Sequence, residues 1–249
     1  DDLSPICDDK VHRFRVEGDK PRTKNGAYKL RAEPDGFAFG WVMTHKEGVT
    51  HAWHAKTKRG APKEDKAERD RRIKAAKAER AALDKATHAA AAKRAAGLWR
   101  KAAREGTTAY LDRKGITLAG AARISRDLVV VPLCGESDGP GSKPIVRGLQ
   151  YIAADGSKRF LTGSEIIGSY CPIAVAGEAE ARIIICEGFA TGCTLRMAFP
   201  DVAIIVAFNA GNLRPVAEVM RRRYPDAVIS IAADNDQWTT RQDGTPYNP

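Results

Sequence analysis

The sequence predicts a mixed α/β protein whose second half contains a parallel sheet covered by helices. Three continuous apolar runs alternate there with two helix-like segments; the runs lie at 183–186, 202–208 and 227–233, and the helices at 191–198 and 213–223. This β-α-β-α-β order is typical of a parallel sheet. Because the runs are continuous rather than alternating, we expect these strands to be buried on both faces.

Residues 1–62 predict a small β-rich domain. Short alternating runs are separated there by the turn signals Asn25-Gly26, Asp35-Gly36 and Glu47-Gly48. Alternation of apolar and polar residues between such turns is typical of antiparallel hairpins.

Residues 63–104 predict a long helix, because 15 of these 42 residues are Ala and Pro is absent. Large apolar side chains are few, namely Ile73, Leu83, Leu98 and Trp99. We therefore expect most of the helix to be exposed to solvent. Two interpretations stay open: a spacer between domains, or an element that contacts nucleic-acid phosphates.

The formal net charge of +10 is unevenly distributed. Residues 63–104 carry a net +8 and residues 1–62 a net +3, whereas residues 105–249 carry −1. A basic excess favours nucleic acid or another polyanion as partner. The neutral second half means that any charge-based chemistry there depends on local clusters.

Targeting and cysteine patterns indicate a protein of the cytoplasm, with no membrane partner. No apolar stretch approaches the roughly 20 residues of a membrane helix, and the first residues lack the features of a secretion signal. The five cysteines form no Cys-x-x-Cys pair, which argues against a zinc ribbon and a disulfide framework.

Three acidic residues follow two of the predicted strands. Glu187 comes directly after 183–186, and Asp234 and Asp236 come after the run at 227–233. Functional residues of open parallel sheets gather at the carboxyl ends of strands. Three carboxylates at one edge repel one another, and hard oxygen ligands suit Mg²⁺ or Mn²⁺. The alternative is that these acids are solvated loop residues or helix caps.

This combination resembles the Toprim fold shared by bacterial-type primases, topoisomerases and some nucleases. The resemblance rests on Glu187-Gly188, on Asp234-Asn235-Asp236 and on the segment 206–213 between them. The central residue of the second motif is Asn235 where the family usually has Gly. The module normally includes a further helix and strand, so we expect the end of the Toprim module to be missing from 181–249.

Upstream segments favour a primase over a topoisomerase. The segments 128–133, 147–152 and 156–161 resemble the basic subdomain of bacterial primases, which implies such a subdomain at 105–180. The segments 110–116, 12–14, 25–28 and 39–41 resemble parts of phage and plasmid primase–helicases. No Walker-type phosphate loop occurs in this sequence, so a helicase domain or protein is only a possible partner.

The resemblance implies synthesis of RNA primers on single-stranded DNA from nucleoside triphosphates, in phage or plasmid replication within a bacterial cell. Glu187, Asp234 and Asp236 would hold Mg²⁺ or Mn²⁺; the alternative for Glu187 is a role as general base. Side chains proposed to contact nucleotide or template are Arg147, Lys158, Arg159, Asn209 and Asn212.

Each proposed contact has a structural alternative. The basic side chains would then be exposed hairpin charges, and Asn209 and Asn212 would be turn residues that tolerate left-handed conformations. Tyr151 and Phe160 either stack on bases or fill a core. For the whole chain, the alternatives are a Toprim-type metal-dependent nuclease and a non-catalytic DNA-binding fragment of a replication protein.

Overall fold

The computed structural model describes residues 5–19, 24–32, 38–44, 49–54, 66–136, 144–174 and 182–234. These residues form a mixed α/β protein with three four-stranded sheets, as the sequence predicts. The chain divides into an N-terminal unit that ends at Arg71 and a second unit that begins at Arg72.

The N-terminal unit contains an antiparallel meander in strand order β1-β2-β3-β4; the strands are β1 Val11–Phe14, β2 Gly26–Ala32, β3 Ala38–Thr44 and β4 Val49–His54. The buried Asp19 closes the connection between β1 and β2. Its carboxylate accepts hydrogen bonds from the backbone N–H groups of Val16 and Asn25, at 2.9 and 3.0 Å.

Helix α1 spans Lys66–Lys101 and coincides with the segment where composition predicts a long helix. Its described residues are exposed as far as Thr87, as expected. The remainder differs from the expectation, because Ala91 and Ala95 are buried at 3% and 0% exposure. Ala95 packs with Val130 and Leu149 of the following sheet. Small side chains let the helix approach the sheet closely, and the half-buried Trp99 of α1 packs against the same cluster.

The second sheet has the strand order β5-β6-β7-β8; its strands are β5 Arg123–Ser125, β6 Leu128–Glu136, β7 Pro144–Ile152 and β8 Lys158–Phe160. Alternation along β6 places Val130 against α1, whereas Val129 and Val131 enter the main core. Short helix α2, Ala109–Lys114, precedes this sheet and ends at Gly115, whose φ of 62° is left-handed.

The third sheet has the strand order β12-β10-β11-β9; its strands are β9 Cys171–Ala174, β10 Arg182–Cys186, β11 Ala203–Val206 and β12 Val228–Ala232. Strands β10, β11 and β12 run parallel, as predicted, and the unpredicted β9 pairs antiparallel with β11. The expectation of burial on both faces is wrong for β12. It is an edge strand, and Val228 and Ile231 are 60% and 52% exposed.

Helices α3, Phe189–Ala198, and α4, Leu213–Arg223, cover opposite faces of the third sheet. Gly192 allows α3 to pack closely, because a methyl group there would lie 2.8 Å from Val206 Cγ2. The main core combines α2, α3, β6, β7 and the third sheet; its largest fully buried side chains are Leu111, Val129, Val131, Leu133, Ile152, Phe189 and Ile204. In the part of the chain that the structure describes, no helix is long and apolar enough to span a membrane.

Candidate active site

Two of the three predicted acids lie at the carboxyl edge of the third sheet. Cys186 pairs with Ala232 at the ends of the parallel strands β10 and β12. Glu187 follows the first strand directly, and Asp234 follows the second after one intervening residue. Burial raises the pKa of the Cys186 thiol to about 12, and the charges of Asp234 and Glu187 contribute to this rise. Both acids therefore lie at the same end of the sheet as this buried thiol.

The third predicted acid, Asp236, lies outside the described residues. Within the ranges described, no three His, Cys, Asp or Glu side chains form a cluster that could hold a metal ion. The pair that is described consists of the half-buried Glu187 and the exposed Asp234. Its oxygen donors suit a hard divalent cation, and its exposed side leaves room for water ligands.

Lys158 reaches this edge from the second sheet. A methyl group placed on Gly188 would lie 3.6 Å from the Lys158 Nζ and 3.5 Å from the Thr191 Oγ1. The backbone does not require glycine at this position, since the φ of Gly188 is −105°. The missing side chain leaves an open space between an ammonium group, a hydroxyl group and the first turn of α3.

An aromatic contact connects the two sheets beside this space. Phe160 packs edge-on against Phe208, with 6.0 Å between ring centroids. Phe208 follows β11 and has a left-handed φ of 75°, which is unusual for a bulky residue. The contact packs the half-buried Phe160 against the main core, which favours the core alternative over base stacking. It also orients β8, so that Lys158 is held toward the Glu187-Gly188 turn.

Strand alternation separates Lys158 from its neighbour Arg159. Lys158 lies opposite the buried Ile152, whereas Arg159 lies opposite Tyr151. Tyr151 packs on the face covered by α1, where burial raises the pKa of its hydroxyl. The structure therefore brings Lys158 to the acidic edge and places Arg159 on the other face of β8.

Arg147 has structural partners. Its guanidinium forms an ion pair with Glu165 at 3.2 Å and donates to the backbone carbonyl of Glu136. These contacts connect β7 to the end of β6 and to the segment that follows β8. None of its described contacts involves the acidic edge, so they support a scaffold position rather than the predicted contact with substrate.

The two predicted asparagines differ in burial and in hydrogen bonding. Asn212 is fully buried, and its amide donates to the carbonyls of Ser169 and Ala207 at 2.9 and 2.8 Å. Its Oδ1 accepts from the Gly168 N–H at 2.8 Å. These contacts give Asn212 a structural role in the core, and its predicted contact with substrate stays a prediction. Asn209 is exposed beside the short 3-10 turn at Ala210–Asn212, and the left-handed residue of the segment is Phe208.

Four cysteines of the described residues are buried: Cys134, Cys171, Cys186 and Cys193. Burial raises the pKa of Cys193 to about 12 and that of Cys171 well above its usual range. The thiolate is the form that binds metal. Protonated thiols in buried positions are therefore poor candidates for metal ligands.

Comparison with known proteins identifies the class to which this site belongs. A Toprim domain profile matches residues 182–244, which include β10, α3, β11, α4 and β12. The Toprim resemblance that the Glu187-Gly188 motif indicates is therefore confirmed.

Relatives extend the similarity beyond that domain. The chain is 33% identical over 242 residues to a protein of Escherichia coli named DNA primase TraC, and 31% identical over 243 residues to a second E. coli protein of that name. Each alignment covers 94% of this chain but only 22% and 16% of the relatives. The chain is thus related to Toprim primases of the plasmid type and spans about a fifth of their length. No solved structure shows significant similarity.

Proposed function

We propose that the chain functions in primer synthesis, as a metal-dependent nucleotidyltransferase that joins ribonucleotides on single-stranded DNA in plasmid or phage replication. The observation that carries the proposal is the convergence of Glu187 and Asp234 at one sheet edge, with Lys158 beside the Glu187-Gly188 turn. The Toprim match and the relatives named DNA primase support it.

Glu187 and Asp234 would hold Mg²⁺ or Mn²⁺, with Asp236 as the third predicted ligand. Such an ion stabilises charge on a triphosphate and lowers the pKa of an attacking hydroxyl. Carboxylates at neighbouring strand ends repel each other when no ion is bound, so occupation by a cation would also stabilise the edge. A role for Glu187 as general base is the alternative within the same site.

Lys158 would bind a nucleotide phosphate. Its ammonium and the Thr191 hydroxyl flank the space above Gly188, where the first N–H groups of α3 also point. A helix N-terminus carries a partial positive charge, and an ammonium group adds a full one. The absence of a side chain at Gly188 lets a phosphate approach both.

Two further predicted contacts, Asn209 and Arg159, remain part of the proposal. Asn209 is exposed and stays available for substrate. Arg159 lies on the face of β8 away from the acids, which leaves template phosphate as its proposed contact. A helicase domain or protein as partner stays a prediction.

The proposal is tested by primer synthesis on single-stranded DNA with labelled ribonucleotides and Mg²⁺ or Mn²⁺. Asp234→Ala combined with Asp236→Ala should abolish incorporation. The control is Asp226→Ala, which removes an exposed acid before β12. Incorporation that survives the double substitution would contradict the proposal. Metal-dependent DNA cleavage without nucleotides would favour the nuclease alternative.

A further inference from the structure

A groove of about 390 Å³ lies between the C-terminal part of α1 and the start of β7, away from the acidic edge. Apolar side chains of both elements line it: Ala92, Ala96, Ile145 and Val146. Trp99 completes the lining, and Ile145 is 45% exposed. The groove is therefore an open apolar surface with an aromatic wall.

Cations border the groove on its helical side. Lys93 and Arg100 line it and are exposed. They are seven residues apart and lie on one face of α1, about 10 Å apart along the axis. Arg100 Nε donates to the Ala96 carbonyl at 3.3 Å, which holds its side chain along the groove. An anionic chain that crosses here would meet two positive charges in succession.

Gly97 lies between these two cations on the same face of the helix. A methyl group at this position would have no heavy atom within 4 Å. Glycine weakens a helix interior, and the described packing offers no reason for it here. Its effect is to let a bulky group approach the helix backbone between Lys93 and Arg100.

Trp99 is held in place before any ligand binds. Its indole N–H donates to the Ala121 carbonyl at 2.8 Å, and the Arg123 guanidinium covers one face of the ring at 3.8 Å. An aromatic group that is already immobilised loses little conformational entropy on binding.

From these features we infer that the groove binds single-stranded DNA, with a base against Trp99 and Ile145 and the adjoining phosphates on Lys93 and Arg100. Single strands fit better than a duplex, because only unpaired bases can leave the stack and enter an apolar groove. The net +8 of residues 63–104 is complementary to such a strand. The inference rests on the proposed function only for the choice of DNA.

The test is binding of a fluorescent single-stranded oligonucleotide to the whole chain, by anisotropy, with EDTA and without nucleotides. The Lys93→Glu/Arg100→Glu variant should bind about tenfold or more weakly. Loss of two phosphate contacts should reduce the slope of log Kd against log salt concentration by about 1.4. The control Lys74→Glu/Lys77→Glu makes the same charge change at exposed positions of α1 outside the groove and should have a much smaller effect.

The Gly97→Ala variant distinguishes a loss of DNA binding from a loss of stability. The added methyl group should raise the melting temperature, because alanine favours helix, yet weaken DNA binding by obstructing the space between the cations. Abasic oligonucleotides should bind the unmodified chain less tightly than normal ones.

Equal losses of DNA binding in the two charge-reversal variants would overturn the inference. It would also be overturned if the chain bound duplex DNA or heparin as tightly as single-stranded DNA. An Asp234→Asn variant keeps the groove intact. If it loses primer synthesis but retains metal-free DNA binding, both proposals stand. If the unmodified chain makes no primers yet binds DNA through the groove, only the proposed function fails.

Discussion

The Arg123 guanidinium lies 3.8 Å from the centroid of the Trp99 ring and donates to the Trp99 backbone carbonyl at 3.1 Å. It also donates to the Arg100 carbonyl at 3.2 Å. A residue of β5 thus caps the C-terminus of α1, where the helix dipole favours a cation. Burial lowers the pKa of Arg123, and the Arg104 charge adds to this effect. The cap fixes the helix end that carries the groove to the second sheet.

Arg123→Ala should lower the free energy of unfolding by about 2–4 kcal/mol, because the carbonyls at the end of α1 lose a charged donor and one face of Trp99 becomes exposed. Urea unfolding followed by far-UV circular dichroism measures the change. Lys101→Ala, at an exposed position in the last turn of α1, is the control and should cost less than about 0.5 kcal/mol. Equal effects of the two substitutions would show that the cap does not stabilise the fold.

Asn212→Ala should destabilise the protein by about 2–4 kcal/mol, because two backbone carbonyls in buried hydrogen bonds and one part-buried N–H group lose their partner. Asn209→Ala, at an exposed position three residues earlier, should change stability by less than about 0.5 kcal/mol. Thermal unfolding of both variants checks the contrast. Similar stability of the two variants would contradict the structural role of Asn212.

Lys158→Ala should weaken binding of a fluorescent nucleoside triphosphate about tenfold, since the loss of one charge-assisted phosphate contact corresponds to about 1.4 kcal/mol. Arg159→Ala removes the adjacent charge from the opposite face of β8 and should have little effect. Titrations in the presence of Mn²⁺ compare the two variants. A larger loss of nucleotide binding for Arg159→Ala would contradict the proposed contact between Lys158 and the nucleotide phosphate.

Stability should decrease at alkaline pH. Burial raises the pKa of Cys134 from 9.0 to about 12, so the folded state retains a proton that the unfolded chain releases. The contribution of this protonated thiol to the free energy of unfolding is constant below pH 9.0 and is lost as the pH rises toward 12. Urea unfolding at a series of pH values should show a smaller alkaline loss for Cys134→Ala. The exposed Cys7→Ala is the control, and an unchanged slope in Cys134→Ala would contradict the assignment.

The elements with strong patterns were predictable from the sequence. The parallel strands β10, β11 and β12 follow from their continuous apolar runs, and the position of Glu187 and Asp234 follows from strand ends. The partial exposure of β12 was not predictable, because an edge strand and a central strand have the same apolar composition. Strand β9 has only four residues and pairs antiparallel, so no periodicity indicates it.

Side-chain assignments were less predictable because they depend on tertiary contacts. Adjacent residues Lys158 and Arg159 have the same chemistry in sequence, and only the pairing of β8 with β7 shows which one faces the acids. Asn212 resembles an ordinary turn residue until its three partners, which lie 5 to 44 residues away, are brought together. The docking of α1 through Ala95 uses a residue that also favours exposed helix.

The central claim is that Glu187 and Asp234 hold a divalent metal ion at the edge of the Toprim sheet. Titration with Mn²⁺, followed by electron paramagnetic resonance of the free ion, tests it without requiring catalysis. Glu187→Gln and Asp234→Asn should each weaken Mn²⁺ binding about tenfold or more, because each replaces a charged carboxylate ligand with a neutral amide of similar shape. Asp226→Asn, the matched control, should bind as the unmodified chain does. Unchanged Mn²⁺ affinity in both site variants would contradict the claim.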